Sequence, residues 1–104
     1  MKIFQVWHAD PPAYDICFDK NKEERVAKIR TEFPKGYHLV AHVEGEGLED
    51  VFRSTNTIEE LWTRNAEILK LYGTRHRSTS VGDVVIDGNQ RWLCDGNGWL
   101  DISA

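Results

Sequence analysis

The chain has 104 residues, one domain's worth, with 40% hydrophobic and 29% charged residues, a composition that folds rather than stays disordered. Thirteen Lys and Arg against seventeen Asp and Glu leave a net charge of −4. That is too acidic for a protein that coats duplex DNA through its overall charge, and too weak for a polyanion that mimics DNA along its whole surface. No apolar run approaches the ~20 residues that cross a bilayer, and residues 1–8 lack the apolar centre of a signal peptide, so a cytoplasmic protein without a membrane partner is expected.

Residues 2–9 carry Ile3, Phe4, Val6 and Trp7, which suit a pleated, buried strand. Asp10-Pro11-Pro12 ends it, because proline donates nothing to a ladder. Residues 14–18 read as a short strand or an extended connection. Residues 21–33 read as a helix, with Asn21 and Glu24 in a capping arrangement and Val26, Ile29 and Phe33 as its apolar stripe. Pro34-Lys35-Gly36 stops it. Residues 37–44 alternate as a strand, and residues 48–56 form a short helix with Leu48, Val51 and Phe52 on one side. Thr57-Ile58-Glu59-Glu60 is a capping box, and the spacing of Ile58, Leu61, Trp62, Ile68, Leu69 and Tyr72 predicts a longer helix to Tyr72, closed by Gly73. Residues 81–87, 90–95 and 99–103 read as a three-stranded meander joined by tight turns at Gly88-Asn89 and Gly96-Asn97-Gly98. The expected fold class is therefore α+β: a small antiparallel sheet ending in a C-terminal meander and packed against two or three helices. With no linker or repeat, residues 1–104 make a single domain, and all the helices are expected on one sheet face.

The segment Arg77-Ser78-Thr79-Ser80-Val81-Gly82-Asp83-Val84-Val85, followed by Trp92 and then Gly98-Trp99, resembles the YodL-like group of small uncharacterised proteins of phages, prophages and plasmids. Leu48-Glu49-Asp50-Val51-Phe52, Thr55-Asn56 and Trp62 with Asn65 look like the segment that precedes it there. The resemblance spans residues 48–102. It implies origin on a mobile element, and by analogy inhibition of a host defence system of the anti-CRISPR or anti-restriction type. It supplies no catalytic residues.

Chemistry-bearing residues are sparse. His8, His38, His42 and His76 are scattered. His38 and His42 stand about 13 Å apart along one strand, too far to share an ion, whereas His8 and His42 could face each other across paired strands. The histidines therefore read as ordinary surface or edge residues and no metal ligand set is assigned. Asp83 and Asp87 are single carboxylates at a strand start and a turn. No serine elbow or phosphate loop is present, and Cys17 and Cys94 read as free thiols with no CxxC pair. The expectation is a non-enzymatic protein with no cofactor.

Two charged groups remain. Glu44, Glu46, Glu49 and Asp50, with Glu59-Glu60 beyond, could compete with nucleic acid for a basic channel on a host or phage protein. Arg64, Lys70, Arg75 and Arg77, beside Trp62, give the alternative of a nucleic-acid accessory protein. Trp62 is also a candidate partner anchor, since Trp and Arg dominate interface hot spots. A third reading is a self-associating module, a homodimer paired through an exposed strand edge.

Overall fold

The computed structural model describes residues 1–56 and 61–103. Among them are β1 (Lys2–Ala9), β2 (Tyr37–Gly45), β3 (Ile68–Leu71), β4 (Val84–Asp87), β5 (Gln90–Asp95) and β6 (Gly98–Asp101), with helices α1 (Lys22–Glu32) and α2 (Leu48–Ser54). The strands form one antiparallel sheet in the order β3-β2-β1-β4-β5-β6. The fold is α+β, and the C-terminal meander is β4-β5-β6. The strand β4 starts three residues later than residue 81, because Gly82 turns the chain at φ +93°.

Strand alternation puts successive side chains on opposite sheet faces, and both faces are covered. Phe4, Val6, Val43, Val51, Trp62 and Val85 make one core under α2. Ile16, Val84, Leu93 and Ile102 make the other, against Val26, Ile29 and Phe33 of the α1 segment. The neighbours Val84 and Val85 belong to different cores. The helices thus do not share one sheet face. The central strands β1 and β4 are apolar on both sides, which demands a cover on each.

Three local expectations are also corrected. Tyr14–Phe18 is a 3-10 turn that drops Ile16 into the α1-side core, so it is neither strand nor extended connection. Asn21 makes no side-chain cap on α1. Asp19 instead accepts from the Asn21 N–H at 2.8 Å and from Arg25 at 2.8 Å. The helix expected through residue 72 is a 3-10 turn at Trp62–Arg64 followed by edge strand β3. The capping box at residues 57–60 lies outside the described residues.

Among the described residues, no helix is long and apolar enough to cross a membrane.

Candidate functional site

The strand β1 runs seven residue steps from Lys2 to Ala9, about 23 Å at ~3.3 Å per residue, and its two ends carry opposite chemistry.

At the Lys2 end lies an acidic groove of about 430 Å³ lined by Glu44, Glu46, Asp50 and Glu67, with Arg53. Glu44 comes from β2, Glu46 from the following turn and Asp50 from the first turn of α2. Glu67 is brought in by a backbone bond, Glu44 N–H to Glu67 O at 2.9 Å. Asp50 accepts from the Glu46 N–H at 3.0 Å and pairs with Arg53, so it ties the turn to the helix start. Glu44, Glu46 and Glu67 meet no cation among the described residues. Glu49 is exposed beside them but points its carboxylate toward the Trp99 Nε1–H, at 3.3 Å, across a neighbouring cleft. Of the four acids singled out from the sequence, Glu44, Glu46 and Asp50 therefore share the groove, whereas the Glu49 carboxylate reaches the β5–β6 turn instead. Glu67 was not among them, because the helix reading of residues 57–72 hid its place beside Glu44.

The Ala9 end is built around Asp83, which is fully buried. Its carboxylate accepts four bonds: Arg77 Nη2 at 2.7 Å and Ala9 N–H at 2.9 Å on Oδ1, Arg77 Nη1 at 2.7 Å and Ser80 N–H at 2.8 Å on Oδ2. That fills every lone-pair position a carboxylate offers. Arg77 in turn donates to Ala9 O at 3.0 Å and Ser78 O at 3.1 Å. The bonds to Asp83 raise the guanidinium pKa further. The RSTSVGD segment is thus a polar staple joining the end of β1 to the entry of β4. Gly82 completes it, receiving the Tyr37 hydroxyl on its carbonyl at 2.6 Å. Burial pushes the Tyr37 hydroxyl pKa up to about 12.

His8 lies against this staple, fully buried. It faces His38 across the strands, not His42, which pairs with Gln5 and bonds Tyr72 through Nδ1 at 3.1 Å. His8 is therefore no surface residue. Its Nε2 bonds Thr79 Oγ1 at 3.0 Å. Burial lowers its pKa from 6.5 to about 4, against the pull of Asp83, so the ring is neutral at physiological pH.

The basic cluster does not assemble as a binding surface. Arg77 is neutralised by Asp83. Lys70 rests on the Tyr72 ring at 5.0 Å. Arg64 sits on the 3-10 turn after Leu61, and Arg75 is exposed without an ion pair among the described residues. Trp62 is 1% exposed, and its Nε1–H reaches the carbonyls of His76 and Arg77 at 3.1 and 3.0 Å. It is a core residue that pins the 75–83 segment, so its ring is not offered to a partner. Cys94 is a buried free thiol whose pKa burial pushes up to about 12, and Cys17 is partly buried. Among the described residues no three His, Cys, Asp or Glu side chains converge as a metal site.

Comparison of the chain with protein-family models, with curated proteins and with solved structures returns no match.

Proposed function

We propose that this chain works by binding, without turning over a substrate, and that its acidic end is the surface that meets a basic partner. The observation that carries the reading is the groove of Glu44, Glu46, Asp50 and Glu67, drawn from separate segments, in which three carboxylates have no ion-pair partner among the described residues. Unneutralised carboxylates on one edge focus a negative potential that steers a basic surface and competes with nucleic acid for it. The resemblance of residues 48–102 to small mobile-element proteins suggests the setting: a phage or prophage protein that inhibits a nucleic-acid-binding host defence complex in the cytoplasm. The nucleic-acid accessory reading is disfavoured by the Arg77–Asp83 pair, which removes the central cation of the basic cluster.

The test is capture from host lysate with the tagged chain, followed by challenge with duplex DNA. A bound complex that DNA displaces, that is lost in the E44K/E46K/E67K variant at unchanged melting temperature, and that is inhibited by the wild type supports the proposal. Capture that survives the triple reversal, or defence assays that the wild type leaves unchanged, would overturn it. Asp50 is left intact because it also ties α2 to its entry turn.

A further inference from the structure

The first turn of α2 sends two consecutive carboxylates to different places. Asp50 closes on its own entry turn and on Arg53. Glu49 reaches over a second cleft, of about 180 Å³, between α2 and the turn that joins β5 to β6. Phe52, Asp95, Gly98 and Trp99 line it with Glu49. At about 30 Å³ per water it holds about six waters, room for one side-chain head and too little for a drug-sized ligand. Gly98 contributes no side chain, and a Cβ there would meet nothing within 4 Å, so the cleft is open on that side.

The chemistry of this cleft is one-sided. Phe52 and Trp99 stand edge to face with ring centroids 6.1 Å apart, and both are only half-buried. Glu49 is exposed. Its Oε1 accepts the Trp99 Nε1–H at 3.3 Å, and it forms no ion pair among the described residues. A carboxylate accepts about four bonds, so one long bond leaves most of its capacity and its charge to a visitor. Asp95, the other carboxylate here, is already held by Lys22 at 2.6 Å. Arg53, the cation of α2, is taken by Asp50. An accessible carboxylate beside two aromatic rings is the complement of a cation with a flat face. Guanidinium is that cation: its N–H fork matches a carboxylate, its plane packs on rings, and it is more weakly hydrated than ammonium.

We infer that this cleft takes an arginine side chain of the basic partner, its guanidinium on Glu49 and its plane against the Phe52 and Trp99 rings, an inference that rests on the reading of the acidic end as the face that meets such a partner. Interfaces owe most of their affinity to a few aromatic and arginine contacts. The cleft supplies such a contact beside the groove, and Trp99, not the buried Trp62, is the tryptophan that makes it. Glu44, Glu46 and Glu67 then steer the partner, and Glu49 with the two rings anchors it.

Titration of the full chain with N-acetyl-arginine amide tests this, read from the indole N–H resonances in nuclear magnetic resonance. The expected result is a saturable shift of the Trp99 indole, while that of Trp62, bonded to carbonyls in the core, stays still. The matching lysine derivative binds more weakly. The citrulline derivative, alike in shape but uncharged, does not saturate. Glu49→Gln keeps an oxygen for the indole but not the charge, and weakens arginine binding about tenfold. Arginine shifts that rise linearly without saturating, a citrulline derivative that binds as well, a lysine derivative that binds more tightly, or a Glu49→Gln protein that titrates like the wild type would each overturn the assignment. Arginine binding with no complex captured from lysate leaves the cleft assigned and removes the basic partner; a captured complex without arginine binding does the reverse.

Discussion

Arg77 and Asp83, six residues apart, grip each other through two parallel 2.7 Å bonds, and the Asp83 side chain is fully buried while that of Arg77 keeps 26% of its surface exposed. Breaking such a pair from one side leaves a desolvated charge behind. Arg77→Met is expected to lower the unfolding free energy by about 3 kcal/mol. Asp83→Asn costs a comparable ~3 kcal/mol, because either amide orientation turns its NH2 against N–H donors that now bond an oxygen. The double variant should cost far less than the two single losses added together, since each single change already abolishes the shared interaction. Urea unfolding of the four proteins measures this. Additive losses would show that the two residues act independently.

His8 makes stability depend on pH in a definite window. Its folded pKa, lowered by burial to about 4, lies below the unfolded 6.5. Between those values the unfolded chain takes up a proton that the folded chain refuses. The contribution is therefore complete above pH 6.5 and is lost as pH falls toward about 4, amounting to about 3 kcal/mol over the window. Asp83 and Tyr37 face this region together with Arg77, His38 and His76. Asp19, Asp95 and Asp101, whose pKa values are lowered by their hydrogen bonds, add their losses further down, below the ordinary carboxylate range. Denaturation midpoints at several pH values should fall more steeply for the wild type than for His8→Gln between these limits. Equal slopes would mean that His8 is free to protonate in the folded protein.

Gly82 is where the chain has no room for a side chain. It adopts φ +93°, and a Cβ there would stand 2.7 Å from both the Cβ and the carbonyl oxygen of Ala13. Positive φ costs a non-glycine residue roughly 1–2 kcal/mol, and the collision with backbone adds to it. Gly82→Ala should therefore destabilise by about 3 kcal/mol and loosen the 3-10 turn that carries Ile16. Gly88→Ala, at φ +58° with nothing within 4 Å of the added carbon, should cost only about 1 kcal/mol. Thermal melts of the two variants make the comparison, and equal shifts would remove the steric part of the argument.

These positions explain which parts of the structure could be read from the residues. The strands β1 and β2, the helices and the meander follow from alternation, helical spacing and two-residue turns. Residues 61–72 misled because their apolar spacing fits a helix while their extended path is broken. Val43 pairs with Ile68 and His42 with Lys70, so Leu69 is an extra residue in the edge strand and the alternation slips there. The staple was hidden for another reason. Arg77 reads as one basic residue in a polar loop and Asp83 as an ordinary carboxylate at a strand start, and only the turn at Gly82 folds the two together. His8 looked like an edge residue because the 75–83 segment that buries it is distant in sequence. Of the acidic end, Glu44, Glu46 and Asp50 were legible as a local run, whereas Glu49 in the same run turns away to Trp99 and Glu67 was hidden.

Trp62 and the acidic end can be separated by one pair of experiments. Trp62→Phe keeps most of the buried ring but removes the Nε1–H that now reaches the carbonyls of His76 and Arg77. Losing those part-buried bonds should cost about 1 kcal/mol. The same change should leave the affinity for a basic partner unaltered at temperatures where the protein stays folded, because the ring is not at the surface. The triple reversal at Glu44, Glu46 and Glu67 should do the opposite. Those carboxylates make no ion pair among the described residues, so melting changes little, whereas binding collapses and the wild-type complex weakens as salt rises. Calorimetric melts with salt-dependent binding curves test both. A Trp62→Phe protein that melts like the wild type yet loses its partner would put the indole at the interface and contradict its place in the core.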